Sequence, residues 1–346
     1  MSDADDQGNG VEPLNPRETS VLYGHAEAER ALLAAYRGAR FPHSWLIGGP
    51  VGIGKATLAY RMARFVLAHP DPRAPLVQTA TSLQVDADHP VARRIAAQAQ
   101  GDLLVLERTI NEKTNQLDQD IRVDDVRRTV TFFGSTAGEG GWRVAIVDPV
   151  DELNPSGANA LLKILEEPPR RAVLLLVSHS AARVLPTIRS RCRLLALRPL
   201  AAEDVARAVG AAVGGSPDAA DIAAASAAAD GSVRRALALL DGDALELRNC
   251  IMALLEHLPA VDPRALHALG DRLYGTDPAP LAAFVDTVNA WLSLRLTSEE
   301  APARRAQLAE VWEKVNVAAR DADTFNLERK PLVFNVFGWL AEASRG

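Results

Sequence analysis

The chain has 346 residues, of which 48% are hydrophobic and 24% charged, so it can bury a core and is not a disordered chain. Its formal net charge is -6 and it has no Lys/Arg-rich tail. This charge argues against a protein that binds DNA by itself, because phosphate contacts need a basic surface. Two cysteines exclude a disulfide framework, and no apolar run is long enough for a membrane span, so we expect a cytoplasmic protein without a signal peptide.

The pattern up to Pro199 predicts an α/β domain over residues 19–200. Residues 1–18 are polar and rich in Asp, Gly and Pro, and we expect them to be a disordered lead-in. Helices are predicted over residues 25–40, 55–68, from 91, 123–133 and 155–166, and strands over 44–47, 103–106, 143–147, 172–177 and 194–197. Short apolar strands that alternate with helices predict a five-stranded parallel sheet covered on both faces.

Beyond Pro199 the patterns are helical only, so the fold class is α/β followed by all-α. Residues 201–243 are dominated by Ala and predict a small helical domain, and residues 244–346 predict a second one built from amphipathic helices. Two apolar stripes lie in the second domain: Leu281, Phe284, Val285, Val288, Trp291 and Leu292, and then Leu308, Val311, Trp312 and Val315. We interpret both stripes as core; the alternative is a face shared with partner subunits.

A glycine-rich segment follows the first predicted strand. Residues 48–57 fit the phosphate-binding template G-x-x-x-x-G-K-[ST] through Gly49, Gly52, Gly54 and Lys55. Glycines let backbone N–H groups converge on phosphate oxygens, and the lysine adds a charge near the terminal phosphates. The strand, glycine turn and helix favour a phosphate site; the alternative is a vestigial turn retained for folding.

The parts of such a site that hold the metal and activate water are defective. Ala56 stands where a hydroxyl residue should bind Mg²⁺, and Thr57 is one residue late, about 100° further around the helix. The strand over residues 144–147 ends in Asp148, as a second nucleotide motif requires, but Pro149 replaces the acid that would activate water. Because the two defects affect metal and base independently, we predict that the site does not hydrolyse nucleotide.

An arginine-rich segment, residues 186–193, lies between the fourth and fifth predicted strands. Such a loop is usually a solvated face or a phosphate contact. An arginine on the edge of a domain can also reach the nucleotide of a neighbouring subunit and neutralise charge on its γ-phosphate.

Four motifs together resemble the clamp-loader branch of the AAA+ ATPases, and within it the delta-prime subunits of bacterial DNA polymerase III. They are Leu22-Tyr23-Gly24-His25, the glycine loop, the run from Asn159 to Pro169 (Asn-Ala-Leu-Leu-Lys-Ile-Leu-Glu-Glu-Pro-Pro) and Ser190-Arg191-Cys192. The resemblance covers roughly residues 19–240. It implies an AAA+ P-loop domain, a helical lid over residues 201–243 and a helical collar over residues 244–346.

The resemblance also implies residue roles. Arg191 would be an arginine finger acting in trans, Ser178 would occupy the first sensor position and Arg234 the second, in the lid. Thr57 and Asp148 would complete a degenerate nucleotide site that holds ATP or ADP without hydrolysis, or is empty. His25 lies where the family's adenine pocket begins, although a capping or core histidine is an equal alternative.

The implied function is that of a non-catalytic, stator-like subunit in a heteropentamer with the gamma/tau and delta subunits, which loads the sliding clamp onto primer–template DNA. DNA polymerase III as a complex is a DNA-directed DNA polymerase, but we expect this chain by itself neither to polymerise DNA nor to hydrolyse ATP. The alternatives are an ATP-hydrolysing gamma/tau-type subunit and a scaffold with an empty loop. Many relatives carry a four-cysteine zinc module that has only His69 and His89 as counterparts here, so we predict no zinc.

Overall fold

A computed structural model describes residues 15–38, 40–111, 116–117, 120–134, 141–181, 183–214, 217–241, 243–275, 277–325 and 327–345. The chain divides into two compact units between Leu237 and Ala238. No helix among the described residues is long and apolar enough to cross a membrane.

The first unit is built on a parallel sheet. The strands are β1 (Ser44–Gly48), β2 (Leu103–Leu106), β3 (Ile110–Asn111), β4 (Gln116–Leu117), β5 (Arg143–Val147), β6 (Ala172–Ser178) and β7 (Arg193–Ala196). Five of them form the main sheet in the order β2-β5-β6-β1-β7, and every neighbouring pair is parallel. The predicted five-stranded parallel sheet is therefore confirmed, while β3 and β4 pair separately and antiparallel.

The helices of this part of the chain are α1 (Ala26–Arg37), α2 (Lys55–Ala68), α3 (Pro75–Thr79), α4 (Pro90–Ala96), α5 (Val123–Gly134), α6 (Pro155–Glu166), α7 (Pro186–Arg189), α8 (Ala202–Val213), α9 (Ala219–Ala228) and α10 (Val233–Leu239), the last of which crosses the boundary between the two units. Among them, α1 and α2 cover one face of the sheet, and α5 and α6 cover the other. Side chains alternate along β1, so Trp45 and Ile47 enter the core beneath α1 and α2, whereas Leu46 enters the core beneath α5 and α6. Burial on both faces explains why the inner strands β1, β5 and β6 are mostly apolar.

The amino-terminal end of this unit is held by α2. Residues 1–14 of the expected lead-in lie outside the described residues, and residues 16–18 form a turn. The guanidinium of Arg64, on α2, donates to the carbonyl oxygens of Pro16 and Thr19 at 3.1 and 2.7 Å. This order depends on a buried arginine far along the chain, which local composition does not reveal.

The second unit is all-α, as predicted. Its helices are α11 (Ala244–Glu256), α12 (Pro263–Arg272), α13 (Pro278–Ser298), α14 (Pro302–Thr324) and α15 (Arg329–Arg345). The first apolar stripe, on α13, belongs to the core of this unit. On α14, Leu308, Val311 and Val315 are buried, but Trp312 is 43% exposed. The interpretation of Trp312 as core is therefore wrong.

Candidate nucleotide-binding site

The glycine loop joins β1 to α2 in a conformation that needs glycine. Gly49, Gly52 and Gly54 have φ values of 154°, 77° and 95°. A Cβ on Gly52 would lie 2.3 Å from Ser232 Oγ, so the loop also requires glycine there for space. The predicted strand, turn and helix context is present, and the loop lies at the carboxyl ends of the parallel strands.

Lys55 begins α2 and is turned into the loop. Its side chain is 3% exposed, and Nζ donates a hydrogen bond to the carbonyl oxygen of Pro50. Burial lowers the pKa of Lys55 to about 8, against the opposing effect of Asp148 and Asp151. A phosphate group in the loop would have to draw the ammonium group away from the Pro50 carbonyl oxygen.

A cavity of about 700 Å³ lies over the loop, within the size range of small-molecule sites. Its walls come from residues 15–23, the glycine loop, the ends of β5 and β6, and helices α8 and α10. Ala56 and Thr57 both line it, so the residue without a hydroxyl at position 56 lies at this cavity. The sequence-predicted residues Gly52, Gly54, Lys55, Thr57, Asp148 and Arg234 all line this cavity.

Asp148 lies where β5 ends, close to Lys55. Burial raises the pKa of Asp148 to about 6; Lys55 lowers it, and the neighbouring acids, Glu107 first, raise it further. A buried carboxylate is stabilised in its ionised form by a nearby cation, and Lys55 is that cation for Asp148. With Ala56 at the preceding motif, one of the side-chain ligands that would hold Mg²⁺ is missing.

The two acids after Pro149 are already engaged. Asp151 Oδ1 accepts a hydrogen bond from the backbone N–H of His179 at 3.0 Å. Glu152 is paired with Arg108 at 2.6 Å. Both carboxylates therefore hold neighbouring segments in place, and the proline position itself has no group that can take a proton from water.

The end of β6 presents a different side chain from the one expected. Ser178 is fully buried, and its Oγ accepts a hydrogen bond from the N–H of Ser180 at 3.1 Å. The next residue, His179, lines the cavity, and its buried Nδ1 has no hydrogen-bond partner within the described residues. Burial, and then Lys55, lower the pKa of His179. The sensor role of Ser178 stays a prediction; sequence reasoning missed His179, although it directly follows the strand.

The helical segment that carries Arg234 is attached to the glycine loop. The N–H of Val233, at the start of α10, donates to the carbonyl oxygen of Gly52 at 2.9 Å. Arg234 follows immediately and lines the cavity. The second-sensor role of Arg234 stays a prediction, and its position beside the loop is compatible with it.

His25 contacts the loop from the other side. It precedes α1 with a φ of 55°, and its Nε2 lies 2.7 Å from the carbonyl oxygen of Ile53. Burial lowers its pKa. The ring therefore contacts the backbone of the glycine loop, and both the adenine-pocket role and the capping or core role of His25 stay predictions.

Arg191 lies at the amino-terminal end of the strands, whereas the glycine loop lies at their carboxyl-terminal end. Its carbonyl oxygen accepts from Oγ of Ser44, the first residue of β1, whereas the loop follows Gly48, the last. The ends of this five-residue strand are about 13 Å apart. Arg191 Nη2 is 2.8 Å from Glu166 Oε1, and Nη1 donates to the carbonyl oxygen of Thr187 at 2.9 Å.

Cys192 is half-buried beside Arg191, against the core beneath α5 and α6. Burial raises the pKa of its thiol to about 11, so it carries little thiolate at neutral pH. This agrees with the interpretation of Cys192 as a small packing residue.

The segment that stands in place of a zinc module is packed by apolar side chains. Val77, on α3, and Val91, on α4, are buried in the core beneath α1 and α2. His89 uses Nδ1 to accept from the N–H of Val91 at 3.2 Å, and its ring centroid lies 6.2 Å from that of His69. Across the described residues, no group of three or more His, Cys, Asp or Glu side chains is arranged to hold a metal. The absence of zinc stays a prediction.

The chain is similar in sequence to a known protein family. A family model described as DNA polymerase III, delta subunit, matches residues 24–201, just over half of the chain. The chain belongs to this family. Its relatives include proteins named DNA polymerase III subunit delta', so the delta-prime resemblance and the clamp-loader AAA+ fold class are confirmed.

Two of these delta-prime relatives define the extent of the likeness. The Pseudomonas aeruginosa protein is 40% identical over 154 residues, which cover 44% of this chain and 42% of the relative. The Escherichia coli protein is 30% identical over 232 residues, 67% of this chain and 64% of the relative. Both matches span less than two thirds of the relative's own length. A solved gamma subunit-related protein from Thermotoga maritima is 16% identical, covers 93% of this chain and 100% of its own, and has a TM-score of 0.40.

Proposed function

We propose that this member of the delta-prime family is a non-hydrolysing, cytoplasmic subunit of a DNA polymerase III clamp loader. It would assemble with gamma/tau and delta subunits in a heteropentamer that uses ATP to place the sliding clamp on primer–template DNA. Its direct contribution to chemistry would be Arg191, offered in trans to the ATP of a neighbouring subunit. The observation that carries this proposal is a nucleotide site that lacks its metal ligand and its base, together with Arg191 at the opposite ends of the strands of the same sheet.

The site itself supports a role without hydrolysis. Position 56 lacks a hydroxyl for Mg²⁺, and position 149 lacks a base. The nearest substitutes, Asp151 and Glu152, are committed to the His179 N–H and to Arg108. Activating water would require a carboxylate to leave one of these contacts, so hydrolysis is disfavoured even when a nucleotide fills the cavity.

The position of Arg191 supports action on another subunit. Its backbone is bonded to the first residue of β1, about 13 Å of strand away from the loop that would hold this chain's own phosphates. The Arg191 side chain is 36% exposed there, so it is accessible to solvent and would be accessible to an anion of another chain. Arginine fingers accelerate phosphoryl transfer by stabilising charge on the transferred group.

The test is single-turnover ATP hydrolysis by the complex reconstituted with its motor subunits. Arg191→Ala should slow the site that it serves by about 10³-fold or more, because this is the usual contribution of such an arginine. Arg189→Ala is the matched control, since Arg189 is an exposed arginine two residues before Arg191, at the end of α7, and contacts its own domain through Ala181. Assembly should be unchanged in both variants. Wild-type turnover with Arg191→Ala would refute the finger.

A gamma/tau-type ATPase is the second candidate, favoured by the glycine loop with Lys55 and Asp148 beside one cavity. The purified chain, given ATP and Mg²⁺, separates the two proposals. We expect turnover at background, with ATP or ADP binding measured by equilibrium titration. Turnover well above background would favour the ATPase, and no detectable binding would favour a scaffold with an empty loop.

A further inference from the structure

We propose that Glu166 is a positioning residue for Arg191, and that it fixes the direction in which the guanidinium is offered to the neighbouring subunit. This inference rests on the proposed function of Arg191 as a finger in trans. It adds a residue whose role neither the glycine loop nor the Ser-Arg-Cys triplet indicates.

The geometry holds the guanidinium from two sides. Glu166 Oε1 lies 2.8 Å from Nη2, and the carbonyl oxygen of Thr187 accepts from Nη1 at 2.9 Å, with Ser190 Oγ 3.4 Å from the same nitrogen. These acceptors belong to different elements, α6 and the segment of α7. An arginine has five N–H donors, so two anchored nitrogens still leave N–H groups to donate to an incoming phosphate.

Glu166 is attached to a rigid element. It is the last residue of α6, a helix that begins with an Asn154 side chain capping the N–H of Gly157 at 2.8 Å and with Pro155 in the first turn. Leu165, its neighbour, is buried in the core. A carboxylate on a packed helix therefore restrains a long and otherwise flexible arginine more firmly than a loop residue would.

The pair contributes little to the fold itself, since the two side chains are 36% and 52% exposed. A role in stability alone does not explain why the Arg191 guanidinium is held both by Glu166 and by the Thr187 carbonyl oxygen. The opposite interpretation is that Glu166 is a competing anion that the neighbour's phosphates must displace. The hydrogen bond from Nη1 to the Thr187 carbonyl oxygen favours positioning by Glu166. A competing anion would only have to neutralise the charge of Arg191 and would not need this second contact.

The experiment uses the complex reconstituted with its motor subunits and measures single-turnover ATP hydrolysis against ATP concentration. Glu166→Ala should lower the rate constant of the site served by Arg191 by about 10- to 100-fold, because a misplaced group costs of that order, and leave the apparent KM for ATP unchanged. Glu166→Gln keeps an acceptor and should lose less. The control Glu167→Ala, at an exposed position on the same helix end, should match wild type.

Arg191→Ala/Glu166→Ala should be no slower than Arg191→Ala alone, since Glu166 acts only through the guanidinium. Wild-type or faster turnover in Glu166→Ala, or further slowing in the double variant, would overturn the positioning role while leaving the finger intact. If Arg191→Ala itself were without effect, the proposed function would fail, and this inference with it.

Discussion

The contact between the glycine loop and α10 can be tested by adding one methyl group. Gly52 and Gly54 both have positive φ values, 77° and 95°. A Cβ on Gly54 meets nothing closer than Leu22 Cδ1 at 3.8 Å, whereas a Cβ on Gly52 would lie 2.3 Å from Ser232 Oγ and 2.7 Å from Arg234 Cβ. Gly54→Ala therefore measures backbone strain alone, and Gly52→Ala measures the same strain plus a collision with α10.

The magnitudes follow from these contacts. A side chain at positive φ costs about 1–2 kcal/mol, which both variants share. Overpacking adds about 1–3 kcal/mol in Gly52→Ala, because Arg234 Cβ cannot move without its backbone. Ser232 could rotate away only by giving up its bond to the N–H of Arg235 at 3.2 Å. We expect Gly52→Ala to lower the free energy of unfolding by about 1–3 kcal/mol more than Gly54→Ala.

The assay is urea unfolding of both variants and wild type, without nucleotide, followed by circular dichroism. Unequal midpoints at a shared slope give the difference in the free energy of unfolding. Equal midpoints for Gly52→Ala and Gly54→Ala would show that α10 does not pack on the loop in solution, and the cavity would lose one wall.

Two further predictions concern a buried charge and an exposed ring. With a pKa of about 8 when folded and about 10.4 when unfolded, Lys55 binds its proton more tightly in the unfolded chain, so stability should rise with pH between these values. Wild type should gain about 3 kcal/mol relative to Lys55→Met between pH 7 and pH 10.5 in urea unfolding. Exposed Lys163→Met is the control, and a flat difference would contradict the burial of Lys55. In the second unit, Trp291→Ala should lower the free energy of unfolding by about 3–5 kcal/mol, because Trp291 is 9% exposed. Trp312→Ala should lower it by about 1 kcal/mol, because Trp312 is 43% exposed. Equal losses in urea unfolding would show that Trp312 is a core residue after all.

Local chemistry explains what the sequence alone predicted well. β1 and β5 are apolar after their first residue because strands inside a covered parallel sheet are buried on both faces. The Asn154-Pro155 pair begins α6 as predicted, since an amide cap and a proline act within one helical turn. The glycine loop was recognisable for the same reason, because its conformation depends on residues next to one another.

Contacts between distant residues decided the rest. His179 rather than Ser178 lines the cavity, which depends on how the end of β6 is placed beside the glycine loop. Glu166 meets Arg191 only because α6 and the segment of α7 pack together. Trp312 shares a helical stripe with buried residues, yet its exposure depends on which neighbours pack against α14. Periodicity gives the order of side chains around a helix, while the width of the buried face is set by the partners that the folded chain brings to it.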